Sequence, residues 1–256
     1  MPRPISSLLL LAATALLLAP ASAAAQQSGA ILIWPVHPVI EGEAGAAALW
    51  IENPGKAPVT LQTRIFAWSQ EGGKNVYAAQ DELLATPPIV TIDPGARQLV
   101  RLTRTAPPPT EAERAYRLIV DELPVESGDS AAAGGATVTF RMRYSLPLFS
   151  YARGAGPKAL AARKTPQPAP RLSWSIGQDA GGAWLKVRNS GAVHARLTDV
   201  ALGEGAARHT VAAGLLGYVL PGREARWPLA GMPASGAPLI LSVNGAPAGP
   251  IAPKSE

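Results

Sequence analysis

Residues 47–68 read AALWIENPGKAPVTLQTRIFAW, and this stretch decides the fold class. Two runs rich in apolar, β-branched and aromatic residues, Ala47–Glu52 and Val59–Trp68, flank the triplet Asn53-Pro54-Gly55. Proline there presets φ near −65° and glycine tolerates positive φ, so the triplet turns the chain between two strands. The same grammar continues outward on both sides. Ile31–Trp34, Val90–Ile92, Gln98–Thr103, Ala115–Glu122 and Thr137–Phe149 are further short runs, and Asp93-Pro94-Gly95 repeats the turn chemistry. That makes seven strands before residue 150, the number an immunoglobulin-like sandwich requires. Residues 152–170 are rich in Ala, Pro, Lys and Arg without apolar alternation and read as a linker or hinge. A second set of strands follows at Leu172–Ile176, Trp184–Asn189, Ala195–Leu202, His209–Ala212, Ala225–Pro228 and Leu239–Val243. The expected fold is all-β, with two immunoglobulin-like β-sandwich domains in tandem over 26–151 and 171–256.

The first 25 residues have the form of a cleaved signal peptide. Arg3 precedes the apolar run Leu8–Leu18, and small residues follow at Ala21, Ala23 and Ala25. No later stretch supplies the roughly 20 apolar residues of a membrane-spanning helix, so no membrane insertion is expected. The chain has no cysteine, which excludes thiol redox chemistry and cysteine-ligated metals. Its net charge of +5 becomes +4 when Arg3 leaves, because residues 1–25 hold no acidic residue. So small and scattered an excess gives no nucleic-acid footprint. Nor is an enzyme expected. His37, His194 and His209 lack metal-ligand spacing, and no nucleophile elbow, P-loop or dinucleotide fingerprint occurs. The pairs Glu41/Glu43 and Glu111/Glu113 read as loop or strand-edge polarity, and no cofactor or metal is called for.

The segment ATVTFRMRYSL, residues 136–146, carries the functional signal. Val138, Phe140, Met142 and Tyr144 alternate with Thr137, Thr139, Arg141 and Arg143, giving one apolar face and one polar face. An ordinary half-buried strand has the same pattern. A long edge strand of this kind would also invite another chain to pair with its free N–H and C=O groups.

From residue 30 onward the chain resembles the periplasmic chaperones of the chaperone–usher pathway, most nearly the archaic branch. The matching stretches are WPVHPVIEGEAGAAALWIEN (34–53), ATPPIVTIDPGARQLVRL (85–102), ERAYRLIVDELP (113–124), TVTFRMRYSLPLF (137–149), LKVRNSGAVHARLTDV (185–200) and GLLGYVLPGREARWPL (214–229). The resemblance implies a periplasmic protein whose partners are pilus subunits and an outer-membrane usher. It also implies donor-strand complementation, in which Val138, Phe140, Met142 and Tyr144 fill the groove of a subunit that lacks its last strand. Burying four such side chains is worth about 6–12 kcal/mol gross, and ordering and association take back roughly 4–15 kcal/mol.

The better-known branch of the family holds the subunit's terminal carboxylate with an arginine and a lysine, and the positions aligned with them here are His37 and Pro147. Proline has no N–H and neutral histidine donates weakly, so substitute anchors are sought at Arg101 first, then Arg104, Arg141 and Arg143. The resemblance also gives Glu113 a part in an inter-domain ion pair, with Arg153 as direct partner and Asp199 as a further member. Trp50, Trp68, Trp174, Trp184 and Trp227 read as core fillers. An unpaired edge is expected to be shielded in the free protein, by self-association or by a loop at 127–135. The rival class is a secreted immunoglobulin-like adhesin or carbohydrate-binding module that works through its loops.

Overall fold

The computed structural model describes residues 31–124, 141–157, 168–234 and 236–251. The signal segment, Val138, Phe140 and the 127–135 loop lie outside these residues. The first half holds β1 (Leu32–Trp34), β2 (Val39–Ile40), β3 (Ala46–Glu52), β4 (Val59–Glu71), β5 (Lys74–Ala78), β6 (Leu83–Thr86), β7 (Ile89–Ile92), β8 (Arg97–Arg104), β9 (Glu113–Glu122) and β10 (Arg143–Tyr151). One sheet runs β1-β3-β8-β6 and the other β2-β10-β9-β4-β5, with β7 pairing the start of β4. The alternating inward residues Leu49, Ile51, Leu61, Val100, Leu102, Leu118, Val120 and Leu148 are fully buried between the two sheets. That period-2 burial is what the apolar alternation demands of a two-sheet core.

The second half holds β11 (Leu172–Asp179), β12 (Gly182–Asn189), β13 (Ala195–Leu202), β14 (His209–Val219), β15 (Glu224–Pro228), β16 (Leu239–Val243) and β17 (Ala246–Ile251). Its sheets are β11-β12-β15 and β14-β13-β16-β17, closed over a core of Leu185, Val187, Leu197, Leu202, Val219 and Leu239. The all-β, two-sandwich expectation is therefore met.

Four strands have no counterpart in the sequence reading, and each for a local reason. β2 is only two residues long, and β5 is exposed throughout, so it carries no apolar alternation. β6 is four residues long and stops at Thr86, just ahead of Pro87. β17 contains Pro247 and Pro250, which argue against a strand except at an edge, and it is an edge strand paired only to β16. The strand expected over Thr137–Phe149 begins, among the described residues, at Arg143 and runs on to Tyr151.

Each sandwich has a buried asparagine with the same task. Asn53 is 2% exposed; its Nδ2 donates to the carbonyls of Ala57 (2.8 Å) and Ile92 (2.9 Å), and its Oδ1 accepts from Gly55 N–H (2.9 Å). Asn189 is fully buried; its Nδ2 donates to Val193 (2.8 Å) and Val219 (3.1 Å), and its Oδ1 accepts from Gly191 N–H (2.9 Å). Asn53 directly follows β3 and Asn189 ends β12, each ahead of an x-Gly turn, and both satisfy carbonyls that would otherwise be buried without partners.

Candidate functional site

The C-terminal strand of the first sandwich has one covered flank and one open flank. β10 pairs with β9 along its full length, from Arg143 opposite Asp121 to Tyr151 opposite Glu113. On the other flank β2 pairs with it in parallel at only Phe149 and Ser150. Among the described residues, no strand covers that flank from Arg143 to Leu148. Met142 is 44% exposed just ahead of this edge. Tyr144 is half-buried against the core of its own sandwich, with its hydroxyl beside the Ile31 backbone.

The basic side chains near the edge differ in what already holds them. The Arg143 guanidinium donates to Asp121, as does that of Arg64 at 2.6 Å. Burial works to raise the Asp121 carboxyl, but those hydrogen bonds and charges outweigh it and hold the group below its usual range. Arg104 is committed to the backbone, donating to the carbonyls of Glu41 (2.9 Å), Ile40 (3.4 Å) and Gly42 (3.4 Å), and so it clamps the chain just after β2. Arg101, the first choice from sequence, is exposed on β8, which belongs to the sheet that does not contain β10. Arg141 is exposed and lies two residues before β10.

The closed end of the edge abuts the second sandwich. His37 Nε2 lies 2.6 Å from the Tyr218 hydroxyl. Burial, then the charge of Arg196 and the neighbouring His194, push the His37 imidazole below its ordinary value, favouring the neutral ring. Trp68, Ala115, Phe149 and Tyr151 of the first sandwich close over Tyr218 and Leu220 of the second. Arg117 sits 4.1 Å over the Trp68 ring. Gln70, 3% exposed at the end of β4, is bonded like a strand peptide: its Nε2 donates to Tyr218 O (2.8 Å) and its Oε1 accepts from Leu220 N–H (2.9 Å). Next to it, Arg226 N–H donates to Gly73 O at 3.1 Å. Gly73 has φ +78° there, and a Cβ would sit 2.9 Å from the Arg226 Cβ, so this approach requires glycine.

Glu113 does belong to the inter-domain contact, but with other partners than expected. Its side chain is fully buried; Oε1 accepts from His194 N–H at 2.7 Å and Oε2 lies 2.9 Å from His194 Nδ1. The His194 ring stacks on Phe149 with centroids 3.7 Å apart and planes at 4°. Arg153 instead meets Glu43 at 3.5 Å in an exposed pair. Asp199 occupies a β13 bulge at φ 56°, where its Oδ1 accepts from Gly214 N–H at 3.0 Å. The expected partner, Arg153, lies just past the end of β10, whose Tyr151 stands opposite Glu113. The histidine that does the work is 81 residues away in sequence, and only the tertiary fold brings it in.

Residues 33–153 match the family model described as pili and flagellar-assembly chaperone, PapD N-terminal domain. A solved chain from the CsuC–CsuE chaperone–tip adhesion subunit pre-assembly complex, of the archaic chaperone–usher Csu pili of Acinetobacter baumannii, is 33% identical. That match covers 89% of this chain and 100% of the other, with a TM-score of 0.69. The chain belongs to the pilus-assembly chaperone family.

The chaperone protein FimB/FhaD of Bordetella pertussis is 31% identical over 121 residues, 44% of this chain and 46% of that relative, so the match spans about half the length of the curated protein. A chain from the Salmonella enterica SafA pilin–SafB chaperone complex has the same fold, with 18% identity, coverage of 88% and 95%, and a TM-score of 0.58. For a member of the chaperone family, the residues missed from sequence are His194, Tyr218 and Gln70. Each is an unremarkable side chain in its local setting, Gln70 in β4, Tyr218 in β14 and His194 in the turn ahead of β13, and becomes informative only across the inter-domain contact. Among the described residues no helix is long and apolar enough to cross a membrane, and no group of three or more His, Cys, Asp or Glu side chains could hold a metal.

Proposed function

We propose that this chain is a periplasmic chaperone that binds pilus subunits by lending them the open edge of β10, and delivers them to an outer-membrane usher. The observation that carries the proposal is the flank of β10 from Arg143 to Leu148, uncovered among the described residues, in a strand fully paired on its other side. A partner strand entering there gains main-chain hydrogen bonds by β-augmentation, and its apolar face meets Met142 and, further out, Phe140 and Val138. Residues 1–25 are the export signal in this reading, and 26–151 and 171–256 are the two folding units. The position aligned with the family's lysine is Pro147, and Arg143 and Arg104 are committed elsewhere, so this chain holds its guest mainly by strand pairing and apolar burial. Arg141 is then the basic side chain best placed to add a charge contact beside the donor edge.

Co-expression with a pilus subunit in a periplasm should yield a one-to-one complex. Replacing Phe140→Asp together with Met142→Asp should abolish it while the free chain keeps its melting temperature. A double variant that still co-purifies with the subunit at wild-type yield would remove the donor strand from the account.

A further inference from the structure

The hydrogen bonds around β10 sort its peptide groups by direction. Glu122 N–H donates to Met142 O at 3.0 Å. With Arg143 opposite Asp121 and Tyr144 opposite Val120, this turns the peptide groups of the even-numbered residues toward β9. The odd-numbered groups face the other flank, as the bond from Phe149 N–H to Pro38 O at 3.3 Å on the β2 side requires. Along the open stretch the chain therefore presents N–H and C=O of Arg143, N–H and C=O of Ser145, and the carbonyl alone of Pro147. Exposure changes at the same point: Arg143 and Ser145 are exposed, and every residue from Leu146 to Tyr151 is buried. From Phe149 onward β2 already occupies the position beside β10 that a guest strand would take.

We propose that Ser145 supplies the last N–H of the subunit-binding ladder and that Pro147, backed by β2, is its stop, so that a guest strand is received in a single register. The inference rests on the donor-strand function above and adds where pairing ends. A guest strand shifted two residues further along would place one of its carbonyls against the missing N–H of Pro147 and run into β2. A buried carbonyl without a donor is costly, and a shift of one residue would turn the guest's apolar face the wrong way. Register is thereby set by the backbone. The fitting partner is an extended segment with alternating apolar side chains that ends or turns away level with Pro147.

The test is residue-resolved amide exchange on the chain, free and bound to a pilus subunit that co-purifies with it. On binding, the amides of Arg143 and Ser145 should gain roughly 100-fold protection, and that of Phe149 should stay unchanged. Ser145→Pro should weaken subunit capture about tenfold, the loss of one hydrogen bond of about 1.4 kcal/mol, without changing the melting temperature, and Ser145→Ala should capture as the wild type does. Faster exchange at Phe149 in the complex, as β2 is displaced, would overturn the stop and leave the donor function standing, as would full capture by Ser145→Pro. An intact complex with Arg143 and Ser145 unprotected would remove the donor function as well.

Discussion

At the scale of single residues, the groups that matter most are buried polar side chains that satisfy other buried polar groups. Asn53 and Asn189 each donate to two carbonyls and accept a turn N–H. Asn189→Ala leaves those groups without partners and should cost about 2–4 kcal/mol in a denaturant titration, at 1–3 kcal/mol for each unsatisfied group after partial rehydration. Glu113→Ala strips the part-buried His194 N–H of its acceptor and should cost about 1–3 kcal/mol in the same measurement. His37 gives stability a pH dependence. Its folded pKa lies below the unfolded value of 6.5, first through burial and then through Arg196 and His194. As pH falls through 6.5 the unfolded chain binds a proton before the folded chain does, so stability present above that pH is lost below it. Between pH 7.5 and 5, the melting temperature of His37→Gln should fall less steeply than that of the wild type.

At the scale of elements, β10 is organised by parity. Its even-numbered peptide groups build the fold and its odd-numbered ones, ahead of β2, are left over. Tyr144→Pro removes an N–H directed at Val120 and should lower the melting temperature sharply, whereas proline at the outward 145 position should not. Circular dichroism melts of the two variants read this contrast directly. Sequence periodicity showed the apolar alternation of residues 138–144 but not the direction of the peptide groups, because alternation reports side-chain faces and is silent on which neighbour a backbone bonds. For the same reason Pro147 read from sequence only as a lost anchor. Strands with a core-facing stripe, such as β3, β4, β8 and β9, were legible from their residues. The exposed β5 and the proline-bearing edge β17 were not, since neither has the pattern that burial imposes.

At the scale of the whole molecule, two cores are joined by a polar and aromatic seam. Gln70 bridges to the backbone of Tyr218 and Leu220, Glu113 to His194, and Phe149 stacks on His194. Gln70→Ala combined with Glu113→Ala should therefore loosen the seam while leaving each core intact, and calorimetry should show one unfolding transition separating into two. The two-sandwich architecture was legible from turns such as Asn53-Pro54-Gly55 and the linker composition. The seam was not, because its contacts join residues separated by up to 181 positions and no local pattern encodes them. His194, which stands at Glu113 where Arg153 and Asp199 are expected, lies in the turn ahead of β13, where no residue pattern marks it.

The structure of the chain bound to a pilus subunit tests the central claim most directly. The account predicts a subunit strand lying against β10 on the flank away from β9, bonded to the peptide groups of Arg143 and Ser145, with β2 still in place at Phe149 and Ser150. A subunit seated on the loops or on the outer face of the β1-β3-β8-β6 sheet, with that flank of β10 left bare, would contradict it.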